Sequence, residues 1–131
     1  MGRTAVREYT MQFLFEAEVQ KDFTREQALE FAKEKKLIGA ERAYFMKAFE
    51  CFQEYKDAVD AEIDEVSEKW KTKRMGRADL AILRLAMIEI RYMDDVPEAV
   101  SINEAVELAK KYGDEKSAGF LNAILGQIVR A

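Results

Sequence analysis

Between Leu80 and Ile90 the chain reads LAILRLAMIEI. A helix at the surface of a bundle carries its apolar residues on one stripe. Here only Arg84 and Glu89 interrupt a run that would be apolar on nearly every helical face, so this segment reads as the central helix of a bundle. A polar break at Lys71–Gly76 precedes it, and Asp94-Asp95-Val96-Pro97 makes the turn that follows. Ser101 and Glu104 then form an S-x-x-E capping box, opening a helix that stops at Gly113, a good left-handed position. Asp114 starts a last helix, to about Val129, with Leu121, Ile124, Leu125 and Ile128 as its core stripe.

Upstream, a first helix runs from about Thr4 to Gln20. Thr24 and Gln27 make a T-x-x-Q capping box, opening a second helix that ends before Gly39. From Ala40 onward Phe45, Phe49, Phe52, Val59, Ile63, Val66 and Trp70 recur at helical spacings, as one long helix or two with a kink. Only one proline is present and no stretch reads as a strand. The expected fold is all-α: six or seven helices in one compact domain over residues 1–131. Within it two sub-bundles are expected to pack together, at about 1–70 and about 71–131.

The composition, 49% hydrophobic and 35% charged, is that of a soluble globular chain long enough to bury a core. No apolar run approaches the roughly 20 residues of a membrane span, and no signal-peptide core is present at the N-terminus. The single cysteine, Cys51, cannot close an internal disulfide, so a reducing cytoplasmic setting is expected. Cys51 itself reads as a small buried hydrophobe. Histidine is absent, which removes the commonest general base and metal ligand. With no Gly-rich phosphate loop and no metal-ligand spacing either, neither catalysis nor a metal or cofactor is expected. The net charge of −4 argues against a uniformly basic surface but leaves room for a local basic patch.

Three constellations could carry binding. Residues 69–77, KWKTKRMGR, hold Lys69, Lys71, Lys73, Arg74 and Arg77 without an acid. Around one tryptophan they suit phosphate contacts plus base stacking, although a solvated helix end, where cations meet the C-terminal dipole, is the reading favoured on residues alone. Trp70 continues the preceding apolar spacing and is expected in the core. In the first helix Val6, Phe13, Leu14 and Ala17 share one face, while Met11, Phe15 and Val19 form a second stripe. That helix is therefore either central or docked on a partner. Arg3 and Arg7, one turn apart, are placed to point together at a phosphate. At the other end of the chain, Tyr112, Lys116 and Phe120 keep a four-residue spacing across a helix end. A tight turn at Gly113 would gather them, either as a platform for unpaired bases or as a wedge between two helices.

The stretch ADLAILRLAMIEIRYMDDVPEAVSINEAVELAKKYGDEKSAGFLNAIL, with its pieces ILRLA, DDVP and INEAVELAKKYGDEKS, closely resembles the C-terminal half of the NusB family of transcription antitermination factors. AVRE and QFLFE resemble that family's Arg-rich opening helix, and EKW its tryptophan-bearing segment. The resemblance implies an all-helical fold without catalysis or cofactor. It implies binding of boxA-type single-stranded RNA together with the ribosomal protein NusE, within an RNA polymerase antitermination complex at ribosomal RNA operons. By position, Arg3 and Arg7 match the Arg-rich motif, and Tyr112, Lys116 and Phe120 the RNA-contacting turn. Lys73 and Arg77 of the basic cluster join them as RNA-binding candidates. Phe15 and Asp79 match the side that meets NusE, with Val19 in the same stripe as Phe15. The opening GRTAVRE keeps two arginines where the family often has three or four, and the basic KWKTKRMGR could compensate.

Two other readings stand beside this one. A helical protein–protein adaptor would bind RNA weakly or not at all. Some RNA cytosine methyltransferases carry a similar N-terminal domain, but a chain of this length is expected to hold no methyltransferase domain. Monomer and homodimer are both open.

Overall fold

Every residue from Leu80 to Glu89 is buried. The run that is apolar all round therefore lies at the centre of the structure, a computed structural model that describes residues 1–130. Six α-helices follow in order: α1 (Arg3–Gln20), α2 (Arg25–Glu34), α3 (Gly39–Val66), α4 (Arg77–Tyr92), α5 (Glu98–Tyr112) and α6 (Ser117–Arg130). A single 3-10 turn, Thr72–Arg74, sits between α3 and α4, and no strand occurs among the described residues. Around α4 pack α1, α3, α5 and α6, while α2 covers α3 on the far side. The fold is all-α, as expected.

Two charged side chains interrupt the apolar run, and both are buried on α4. Glu89 is 1% exposed. Its carboxylate accepts from Arg7 Nε of α1 at 2.6 Å, from Ser101 Oγ of α5 at 2.7 Å and from the Tyr44 hydroxyl of α3. Burial, then the Glu89 charge, push the Tyr44 hydroxyl well above the ordinary tyrosine range, which keeps it a donor. Arg84 clasps Asp60 of α3 through Nε and Nη2 at 2.9 and 2.8 Å, and Glu18 of α1 through Nη1 at 2.7 Å. No buried side-chain polar atom lacks a partner among the described residues. A buried charge is tolerated only under that condition.

Apolar packing does the rest. Phe13 of α1 meets Phe31, Phe45 and Phe49 edge-on at centroid distances of 5.2, 5.3 and 5.8 Å, tying α1, α2 and α3 together. Such edge-to-face pairs add roughly 0.5–1.5 kcal/mol each beyond the area they bury. Leu121, Ile124, Leu125 and Ile128 bury one face of α6, and Cys51 is buried on α3, both as the spacing predicts.

Several sequence readings are corrected. Ala40 to Trp70 is one helix, not two, but it ends at Val66, leaving Trp70 outside it and exposed. Met11 does not belong to an outward stripe; it is buried with Val6 and Leu14. Ser101 and Glu104 do not cap α5, which starts at Glu98 after Pro97. Their side chains serve the buried network instead, Ser101 on Glu89 and Glu104 on Arg7 at 2.7 Å. Thr24 and Gln27 do form the expected capping box. Gly113 has extended backbone, φ −94° and ψ −172°, so it is not a left-handed cap.

Glu89→Ala would leave the buried Arg7 guanidinium with Glu104 as its only carboxylate partner, and Tyr44 and Ser101 without their acceptor. Removing one partner of a buried pair costs about 3–5 kcal/mol. Arg7→Ala, which strands Glu89, should lose a comparable amount. Urea unfolding of both variants is the check, and a loss for either below 1 kcal/mol, within the range of ordinary surface changes, would show that the network is not buried as described.

Candidate nucleic-acid interface

Three segments meet at one end of the bundle. The first connects α3 to α4 and is pinned to the end of α3. Asp64 accepts from the Thr72 amide at 2.6 Å and from its hydroxyl at 3.1 Å. Lys71 Nζ donates to the Asp64 and Ser67 carbonyls at 2.8 and 2.9 Å, and Ser67 Oγ donates to the Trp70 carbonyl. Lys71 thus satisfies free carbonyls at a helix C-terminus, the bland reading of part of this basic cluster.

The second segment is the first turn of α4, with Asp79. The third is the α5–α6 turn. There the Gly113 amide donates to the Ala109 carbonyl, the Asp114 amide to Ser117 Oγ at 3.0 Å, and the Lys116 amide to Asp114 Oδ1 at 2.8 Å. Gly113 is needed for room. A Cβ there would run into Ser117 Oγ and Cβ and lie 2.9 Å from the Ala109 carbonyl.

Between these segments opens a cleft of about 390 Å³. Trp70, Arg74, Met75, Asp79, Lys116 and Phe120 give it its chemistry. A polar groove adjoins it through Met75 and carries Lys73 and Arg77 opposite Asp57, Asp60 and Asp64. Among the described residues Lys69, Lys73, Arg74, Arg77 and Lys116 form no ion pair. Five uncommitted cations beside the exposed Trp70 ring and the part-buried Phe120 ring can hold a polyanion whose bases are free to stack.

The model of the NusB family matches residues 4–130. The chain belongs to the NusB family. It is 41% identical to the transcription antitermination protein NusB of Acetivibrio thermocellus, over 99% of this chain and 90% of that protein. With the NusB of Alkaliphilus oremlandii it shares 42% identity over 98% of this chain and 94% of the relative. T. maritima NusB superposes with a TM-score of 0.91 at 32% identity, covering 99% and 92% of the two chains. NusB in a crystal structure with NusE and dsRNA superposes with a TM-score of 0.86 at 22% identity, covering 98% and 96%. At that identity the likeness speaks for the fold.

Within this NusB fold the residues singled out by sequence separate. Lys116 and Phe120 come together in the cleft, whereas Tyr112 turns to α1. Its hydroxyl accepts from Gln12 Nε2 at 2.9 Å and donates to Glu8, which also pairs with Lys111 at 2.7 Å. Arg3 is exposed, lies 4.6 Å from the Tyr44 ring centre and 3.7 Å from Asp95. Arg7 does not point outward with it. At 4% exposure it is spent on Glu89 and Glu104, because the α1 face it occupies packs on α4. Phe15 is half-buried and Val19 exposed, and neither lines the cleft that holds Asp79. Asp79 instead shares that cleft with Lys116 and Phe120.

Sequence reasoning named Arg74 within the basic cluster but placed Trp70 in the core, and did not bring either to the cleft. A usable signal was present, since a tryptophan set between Lys69 and Lys71, beyond a serine and a glutamate, has poor company for a core position.

Asp79 forms no ion pair. Burial pushes its carboxyl above the ordinary aspartate range, the Ser117 hydroxyl works against that rise, and the Asp114 charge adds to it. A raised carboxyl favours the protonated fold, so its contribution is present in acid and lost as pH rises through the folded value. Asp79→Asn should therefore raise the melting temperature at pH 7, and that gain should vanish below about pH 3.8. Thermal melts at both pH values test this, and an unchanged or lower melting temperature at pH 7 counts against it. Gly113→Ala should cost about 1–3 kcal/mol by overpacking the turn. Most of that loss should return when Ser117→Gly is added, as read by urea unfolding.

Proposed function

We propose that this chain is a non-catalytic, RNA-binding transcription antitermination factor acting in the cytoplasm. On this reading it binds boxA-type single-stranded RNA together with NusE and acts on RNA polymerase at ribosomal RNA operons. The observation that carries it is the cleft, where the exposed Trp70 ring and the part-buried Phe120 ring stand beside Arg74 and Lys116, neither of which is ion-paired. Membership of the NusB family and the names of the curated relatives supply the transcriptional role.

In this reading Arg3, Lys73, Arg77 and Lys116 hold phosphates, while Phe120 stacks a base. Tyr112 contributes a ring edge held in place by Glu8 and Gln12. Arg7 acts only through the shape of α1. Phe15, Val19 and Asp79 form the side that meets NusE, so RNA and protein would touch each other around Asp79. The cleft then lies where the two sub-bundles, about 1–70 and 71–131, adjoin. No helix is long and apolar enough to cross a membrane among the described residues.

One observation favours the adaptor reading. With Arg7 buried, α1 offers a single outward arginine, so the N-terminal contribution to RNA affinity is small.

Gel-shift titration with a boxA-like RNA, with and without NusE, separates the two. RNA binding should be weak alone and tighten with NusE, and each of Lys73→Ala, Arg77→Ala and Lys116→Ala should flatten the slope of log K against log salt by roughly 0.7. Equal affinity with and without NusE, or salt slopes that no substitution changes, would favour the adaptor.

A further inference from the structure

The chain has one tryptophan, and it stands outside the core. Trp70 exposes 54% of its surface, although α3 buries Phe45, Phe49 and Phe52 almost completely a few turns earlier. A tryptophan carries a large π-face with a polar edge, and an ordered segment that leaves it half exposed among cations offers that face to a ligand. The segment is ordered for a specific reason. Asp64 holds Thr72 by backbone and side chain, Ser67 holds the Trp70 carbonyl, and Lys71 ties back to α3. The ring is thus presented, not loose.

Across the cleft stands Phe120, and neither ring is paired with another aromatic among the described residues. Arg74 and Lys116 line the same cleft and form no ion pair among the described residues, although Asp79 and Asp114 line it too. Apart from Met75, the lining has no large aliphatic group to receive an apolar protein side chain. Rings and cations together are the chemistry that a single unpaired nucleotide needs, with a π-face for its base and charge for its phosphates.

We infer that Trp70 is a base-stacking residue of the RNA site, taking one unpaired nucleobase into the cleft beside Phe120 while Arg74 and Lys116 hold the flanking phosphates. This rests on the RNA-binding reading above and adds to it a residue, a cation and a stoichiometry of one base. Asp64 is a positioning residue in this arrangement. It touches no RNA and fixes the loop from which Trp70 projects.

Because Trp70 is the sole tryptophan, its fluorescence reports on this cleft alone. The experiment is a titration of the protein, with NusE present, by a short boxA-like single-stranded RNA and by the same sequence annealed into a duplex. Gel shifts are run in parallel. The single strand should quench the emission in step with the gel shift, and the duplex should not. Trp70→Ala should weaken binding about tenfold with an unchanged melting temperature, while Trp70→Phe keeps most of the affinity. Asp64→Ala gives an independent arm. Removing an acid beside a basic cluster should by charge alone tighten RNA binding, whereas loss of the anchor should weaken it.

Gel-shifted complexes with unmoved fluorescence, or Trp70→Ala binding as well as wild type, would overturn the inference and leave the RNA reading intact. Quenching by NusE without RNA would reassign the ring to the protein contact and overturn it too. Failure of any RNA to bind with NusE present would remove the proposed function, and this inference with it.

Discussion

The Glu89 carboxylate is the constraint around which the rest is arranged. It sits on the central helix, nearly free of solvent, and receives donors from α1, α3 and α5. An isolated carboxylate at such a depth would be untenable. Each of the three surrounding helices must therefore present its donor at one height and one rotation. Apolar packing is tolerant of small shifts, whereas a three-donor carboxylate is not. Arg84, five residues earlier, applies the same demand with opposite charge through Glu18 of α1 and Asp60 of α3. Two buried ions thus fix the register of α1 and α3 on α4 at two levels. Phe13 and its aromatic neighbours fill the space between α1, α2 and α3.

This arrangement decides which charges remain for binding. Arg7 and Arg84 are consumed inside, and Lys71 caps the end of α3. Of the cations left without an acid, Lys69, Lys73, Arg74 and Arg77 lie on and around the α3–α4 connection, with Lys116 in the same cleft as Arg74. A chain of net charge −4 can therefore show a local cationic face. Two of the acids near it are engaged, Asp60 by Arg84 and Asp64 by Thr72.

Much of the fold could be read from local pattern. Leu80–Ile90, the α6 stripe and the Thr24–Gln27 box depend on spacing within one helix, and the helix obeys that spacing. The failures share another cause. Ser101 and Glu104 carry the signature of a helix cap, but the same residue types at the same spacing serve a network assembled from four helices. Arg7 looked like half of an outward pair because its partners, Glu89 and Glu104, lie 82 and 97 residues away in sequence. Trp70 kept a helical interval past the point where Asp64 and Lys71 reverse the chain. Gly113 was assigned to backbone freedom, whereas the structure requires it for the close approach of Ser117. In the candidate site, Lys116 and Phe120 were legible and do meet, while Tyr112, two residues before the Asp114 amide that bonds Ser117, is drawn to α1 by side-chain bonds to Glu8 and Gln12 that no local pattern announces.

The position of Asp79 joins the two halves of the proposed function. It is half-buried in the cleft without a cation, so it opposes the approach of a phosphate that Lys116 and Arg74 favour. The cleft is already formed, its walls fixed by Asp64 on one side and by the Gly113–Ser117 turn on the other, so little ordering entropy opposes binding. The obstacle is electrostatic and sits chiefly on Asp79, with Asp114 beside it. A protein partner that brings a cation to Asp79 relieves that carboxylate's desolvation and removes its repulsion of RNA in the same step. By linkage the RNA must then favour the partner to the same degree. On the proposed reading, cooperativity needs no change of fold, only two ligands that meet at the half-buried Asp79 carboxylate.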